Sequence, residues 1–159
     1  MGLEVGAGQD GDRSAAILLL VELLKFASLI NRPMLDGVAS PEGLSLNELR
    51  VLMSLGGEGE AAGHALAELM GMPPMNVSRA FAALHERGWI EQGRDAANRR
   101  RKPFRLSEAG WTAYRAMTPE VEAVAGFVLG TLSAAERRSL ARIVDKLVRQ
   151  TAKWRPAEA

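Results

Sequence analysis

Between residues 94 and 105 the chain sets six cations, Arg94, Arg99, Arg100, Arg101, Lys102 and Arg105, against one acid, Asp95. Such a cluster repels itself unless an anion neutralises it. Guanidinium forks suit phosphate oxygens and the concentrated negative potential of a narrow minor groove. A second candidate lies just upstream, in a segment with helical periodicity from about Pro74 to Arg87. Stepping 100° per residue from Val77 places Ala80, Phe81, Leu84 and Gly88 within about 60° of it, a core stripe. Met75, Arg79, Ala82, Ala83 and Glu86 fall on the opposite face. Small residues around one arginine let a helix backbone approach the floor of a major groove, where Arg79 can bond guanine O6 and N7 together. Asn76 and Ser78 on the flanks can bond bases or phosphates. The residues expected to face DNA are therefore Met75, Asn76, Ser78, Arg79 and Ala82 on the helix, with Arg94, Asn98, Arg99, Arg100, Arg101 and Lys102 beyond it. A solvated helix face and an ordinary surface charge run are the bland alternatives. Two such signals in direct succession support each other.

Other chemistries find little to work with. Ser78 and His85 share a helix face, but seven residues at 1.5 Å separate them by roughly 10 Å, too far for a nucleophile and its base. His64 and His85 are the only histidines and there is no cysteine, so disulfides, thiolate ligands and a thiol peroxide sensor are excluded. Neither a metal site nor a cofactor is expected, and no convergent catalytic group suggests an enzyme. Gly57-Glu58-Gly59 with Gly63 is a poor dinucleotide loop, because no strand precedes it and Glu58 and Glu60 would repel phosphate.

The elements that must position these residues read as mainly helical with one small β-hairpin. Apolar positions from Ser14 to about Leu35 leave Glu22, Lys25, Ser28 and Arg32 as the few polar ones, so that helix needs partners on more than one face. Pro33, Asp36, Gly37, Ser40 and Pro41 mark a turn region. Ser45-Leu46-Asn47-Glu48 has the form of a capping box and opens a helix ending at Gly56-Gly57. A short helix over about Ala61 to Met70, with Leu66, Leu69 and Met70 inward, stops at Gly71, and Pro74 starts the next. Trp89–Gln92 and Pro103–Leu106 alternate as a hairpin with a long tip. Ser107 caps a fifth helix, which Thr118-Pro119 kinks or splits. Ser133-Ala134-Ala135-Glu136 is a second capping box, followed by Leu140, Ile143, Val144, Leu147 and Val148 at core spacing.

This order is that of a winged helix-turn-helix with additional helices at both ends. The expected organisation is a disordered tail over 1–13, an N-terminal dimerisation helix and linker over 14–43, a DNA-binding lobe over 44–107 and C-terminal dimerisation helices over 108–159. Charge follows the same division. Residues 1–60 carry 4 basic and 9 acidic side chains, whereas residues 61–107 carry 8 and 4, in a chain of net charge +1. A basic middle in a near-neutral chain indicates a local polyanion-binding surface. The apolar run from Ile17 to Ile30 is interrupted by Glu22 and Lys25 and spans about 14 residues against the roughly 18 of a membrane helix. The expectation is a soluble, cytoplasmic protein.

Residues 44–110 resemble the MarR (multiple antibiotic resistance regulator) family. The resemblance runs through Leu46–Leu55, Ala65-Leu66-Ala67 with Met70-Gly71, Val77-Ser78-Arg79 with Leu84, Arg87, Gly88 and Ile90, then Asp95, Asn98-Arg99-Arg100, Leu106-Ser107-Glu108 and Gly110. It implies a homodimer joined through its terminal helices and a transcription regulator, a ligand-responsive repressor on a near-palindromic double-stranded operator. It also implies that Asp95 pairs with a wing arginine, Arg99 or Arg100, to shape the tip. Trp111, Tyr114 and Met117 would be candidates for lining a small-molecule effector pocket, with core packing the stronger reading of each. Ala62 and Pro73 stand where the family caps its two motif helices with a hydroxyl or an acid. Asn98 replaces an acid in the wing, and Met75 a common serine. The alternative from another class is a winged-helix protein-interaction module that binds no DNA.

Overall fold

Ser45 opens the helix around which the lobe is organised. Its hydroxyl accepts from the Glu48 backbone N–H at 3.2 Å, and the Glu48 carboxylate accepts from the Ser45 N–H at 3.4 Å, which satisfies two otherwise orphaned donors. In the computed structural model, which describes residues 7–93 and 102–154, this helix is α3, Leu46–Glu58, and it fully buries Leu49, Val51, Leu52 and Leu55. The elements before it are α1 (Ala7–Leu29), α2 (Asn31–Met34), a π turn (Leu35–Ala39) and a 3-10 turn (Ser40–Glu42). After it come β1 (Glu60–Ala61), α4 (Gly63–Met70), α5 (Pro74–Glu86), β2 (Ile90–Gln92), β3 (Phe104–Leu106), α6 (Glu108–Leu129) and α7 (Ala134–Thr151). The architecture is mainly α with a small antiparallel sheet, a winged helix-turn-helix.

The core stripe of α5 is the one the 100° rotation predicts: Val77, Ala80, Phe81 and Leu84 are buried against α3 and α4. In α4 the buried residues are Leu66 and Ala67, while Leu69 is 53% exposed, contrary to the expected inward position. The face that α4 presents is centred between Leu66 and Ala67; Met70 lies near that centre and Leu69 about 110° from it.

Three strands, not two, make the wing sheet, in the order β1-β3-β2. Ile90 stands opposite Leu106 and Glu91 opposite Arg105, while on the other edge Glu60 stands opposite Arg105 and Ala61 opposite Phe104. Ile90 and Leu106 turn into the core, and the Phe104 ring packs 4.8 Å from that of Phe81. The stem of the wing is thereby fixed to α5.

The arms differ from expectation in their details. Helix α1 begins at Ala7, so residues 7–13 are helical rather than tail; once a long helix is nucleated, each added residue contributes a further hydrogen bond. The region of Pro33 and Pro41 is a succession of helical turns of changing pitch in which Val38 and Ala39 are buried. Proline fits there because it lies near the start of a turn, where no N–H is required. Helix α6 runs unbroken through Pro119, although that residue cannot donate to the preceding turn. Ser107 and Ser133 cap α6 and α7 as expected, the latter with a complete capping box.

What these arms leave uncovered is large. Nine big apolar side chains of α1 are exposed, among them Leu18 at 67% and Leu29 at 71%. On α7 the expected core residues Ile143, Val144, Leu147 and Val148 are exposed as well, and no residue of that helix is buried. By length and composition alone, the segment Gly11–Glu42, with mean hydropathy 1.8, would suffice to cross a membrane.

Candidate nucleic-acid interface

The outward face of α5 presents the predicted residues to solvent. Met75 is 63% exposed, Ser78, Arg79 and Ala82 are exposed, and Asn76 is half-buried at the first turn. Arg79 has no hydrogen-bonding or ion-pair partner among the described residues, so its five donors remain available to a ligand. Neither motif helix has a side-chain cap, because Ala62 and Pro73 occupy those positions. At the start of α5, Pro74 has no N–H and the Asn76 N–H donates to the Pro73 carbonyl at 2.9 Å.

Beside this helix the wing emerges from a stem closed by the Gly93 N–H donating to the Pro103 carbonyl at 2.7 Å. Phe104 holds the stem against α5 from two sides, 4.8 Å from the Phe81 ring and 6.0 Å edge-on from His85. Lys102 is exposed at the point where the tip rejoins the stem. Arg94, Asp95, Asn98, Arg99, Arg100 and Arg101 lie outside the described residues, and so does the expected pairing of Asp95.

Arg105 does not belong with the tip cations. Its Nε and Nη2 both donate to the Glu91 carboxylate, at 2.9 and 2.7 Å, across the β2–β3 pair. A cross-strand ion pair of this kind helps set register, so Arg105 is committed to the sheet. Position along the chain groups it with its neighbours; the two-residue alternation that aligns it with Glu91 is the signal that separates it.

Trp111, Tyr114 and Met117 come together at the base of α6. Met117 is 2% exposed within the core, and the Trp111 and Tyr114 rings meet edge to face at 5.5 Å. The open groove of about 470 Å³ between Glu58, His64, Leu69 and Pro103 is lined by none of these three. Met117 is part of the core, and Trp111 and Tyr114 are partly buried against it at the junction of lobe and arm.

A sequence model of the MarR family matches residues 42–101, the segment holding α3 to α5 and the first half of the wing. Through this segment the chain is similar to the MarR family. Solved structures of the same fold extend the likeness to the arms. A MarR family transcriptional regulator from Silicibacter pomeroyi superposes with a TM-score of 0.71 at 18% identity, over 97% of this chain and 100% of that one. BpsR of Bordetella bronchiseptica, solved in a study of how 6-hydroxynicotinic acid regulates its DNA binding, gives 0.67 at 19% identity over 81% and 98%. A mutant MarR from E. coli complexed with operator DNA gives 0.67 at 18% identity over 83% and 95%. The sequence matches none of the curated proteins significantly. At these identities the structural likeness speaks for the fold, and the MarR fold here includes both arms as well as the lobe.

Proposed function

We propose that this chain is a MarR-type, sequence-specific double-stranded DNA-binding transcription regulator that acts as a homodimer. The observation that carries the reading is the joint presentation of an unpartnered Arg79 on an outward α5 face and, beside it, a wing stem leading to the arginine-rich segment. The α5 face would enter the major groove with Arg79 reading guanine, flanked by Asn76 and Ser78. The wing residues Arg94, Asn98, Arg99, Arg100, Arg101 and Lys102 would follow the adjacent minor groove and its phosphates.

The uncovered arms support the dimer. Burying half of the thirteen exposed apolar side chains of α1 and α7 would contribute on the order of 10–20 kcal/mol gross at about 1.5–3 kcal/mol each. Association costs roughly 4–15 kcal/mol, so a second copy can cover these faces with a net gain. Glu22 and Lys25, paired at 2.7 Å within α1, suit an interface rim in water better than a bilayer interior. Two-fold pairing would set two α5 helices about 34 Å apart on one side of a near-palindromic operator. Repression would follow by occluding a promoter in the cytoplasm. A small-molecule effector bound at the lobe–arm junction near Trp111 and Tyr114 would shift the dimer to a spacing that no longer fits.

Sequencing of DNA retained by the purified protein from a random duplex pool tests the reading. The expected result is a two-fold motif with half-site centres about 10 base pairs apart. Retention without enrichment of any motif would reduce α5 to a phosphate contact, and no retention would favour a winged-helix module that binds a protein partner.

A further inference from the structure

The exit of α5 carries a set of contacts that DNA reading does not use. Arg87, the residue that ends α5, reaches across to the chain before α3. Its Nη2 donates to the Gly43 carbonyl at 2.6 Å and its Nη1 to the Glu42 carbonyl at 3.2 Å, while the guanidinium lies 5.2 Å from the centre of the Trp89 ring. The two carbonyls close the 3-10 turn Ser40–Glu42, where carbonyls lack helical donors and a cation is favoured. Gly43 is left-handed at φ 65°, and a Cβ there would stand 3.6 Å from Arg87 Nη2. Only a planar, five-donor cation can bond two successive carbonyls and also lie over an indole. Arg87 is exposed, so an ordinary surface arginine here would be free to wander.

The residues that follow are tied to the opposite arm. The Gly88 carbonyl accepts from the Ser107 hydroxyl at 2.6 Å and the Trp89 carbonyl from the Ser107 N–H at 3.0 Å. Ser107 is the cap of α6. Residues 87–89 therefore touch both places where the chain passes between lobe and arms, the 42–43 linker that follows α1 and the start of α6.

We infer that Arg87 is a positioning residue that couples the N-terminal arm to the recognition helix, so that the setting of the arms fixes the direction of α5. The coupling stands on these contacts; its consequence for DNA rests on the function proposed above. Coupling of this kind acts through a small number of defined contacts between two packed bodies.

Because the chain lacks cysteine, Lys25→Cys on α1 and Ala82→Cys on α5 accept spin labels at those two sites alone. An excess of unlabelled chain isolates the intrachain distance in any oligomer. The expected result is one narrow distance distribution with Arg87, broadened about twofold in Arg87→Ala and intermediate in Arg87→Lys. In unlabelled protein, Arg87→Ala should weaken affinity for the selected two-half-site duplex about tenfold, with binding to a duplex carrying one half-site and the thermal midpoint both maintained. An unchanged distance distribution overturns the inference, and so does a lowered midpoint accompanied by equal weakening on both duplexes, the signature of a merely structural arginine. If the unsubstituted protein binds no duplex, the functional reading fails, while the label distances still decide the coupling.

Discussion

The ring of Tyr114 on α6 occupies the space where a side chain at Gly56 of α3 would stand: a Cβ built on Gly56 overlaps that ring. The glycine pair 56–57 reads in the sequence as a helix stop, yet α3 continues to Glu58 and is capped by Gly59 at φ 85°. Gly56 is therefore retained for close approach of lobe and arm. Gly56→Ala should lower stability, because overpacking costs about 1–3 kcal/mol and exceeds the roughly 1 kcal/mol that alanine adds to a helix. In a Tyr114→Ala background the same change should stabilise. A thermal-denaturation cycle of the four proteins checks both signs.

Arg79→Ala should cost roughly 1–3 kcal/mol on the selected site and little on random duplex. Competition titrations with both DNAs measure the difference. Equal costs on the two would mean that Arg79 touches only phosphate.

Replacing Arg99, Arg100 and Arg101 by alanine should weaken binding to all duplexes and flatten the salt dependence by up to about 0.9 in slope for each phosphate left without its arginine. Unchanged affinity would remove the wing from the interface.

At the start of α7, the Ser133 backbone N–H and hydroxyl hold the Glu136 carboxyl below its ordinary range. A depressed carboxyl contributes stability that is present above its unfolded-state value and is lost as pH falls through the folded one. The first turn of α7 should therefore fray on acidification. Ser133→Ala should move the Glu136 titration part of the way back up, because the backbone donor remains. Carboxyl titration by NMR reads the shift directly.

Local signals carried much of the fold. The boxes Ser45–Glu48 and Ser133–Glu136 and the Ser107 cap are written within four residues each, and the 3.6-residue period of Val77, Ala80, Phe81 and Leu84 is enough to orient α5 and hence to expose Arg79. What escaped depends on distant partners. Strand β1 is two residues long and exists because β3 pairs with it. Arg105 leaves the basic cluster because Glu91 faces it across the sheet. Leu69 is turned outward because so short a helix buries the side holding Leu66 and Ala67. The apolar surfaces of α1 and α7, by contrast, are legible in sequence as faces needing partners, and a single chain leaves them open.

The most direct measurement is the affinity of the purified protein for its selected duplex at several salt concentrations. The expected result is that log K falls linearly with log salt, at a slope near −0.9 for every phosphate contacted, and that the selected site binds at least about a thousandfold more tightly than random sequence. Binding that is indifferent to salt, or equal on both sequences, would contradict it.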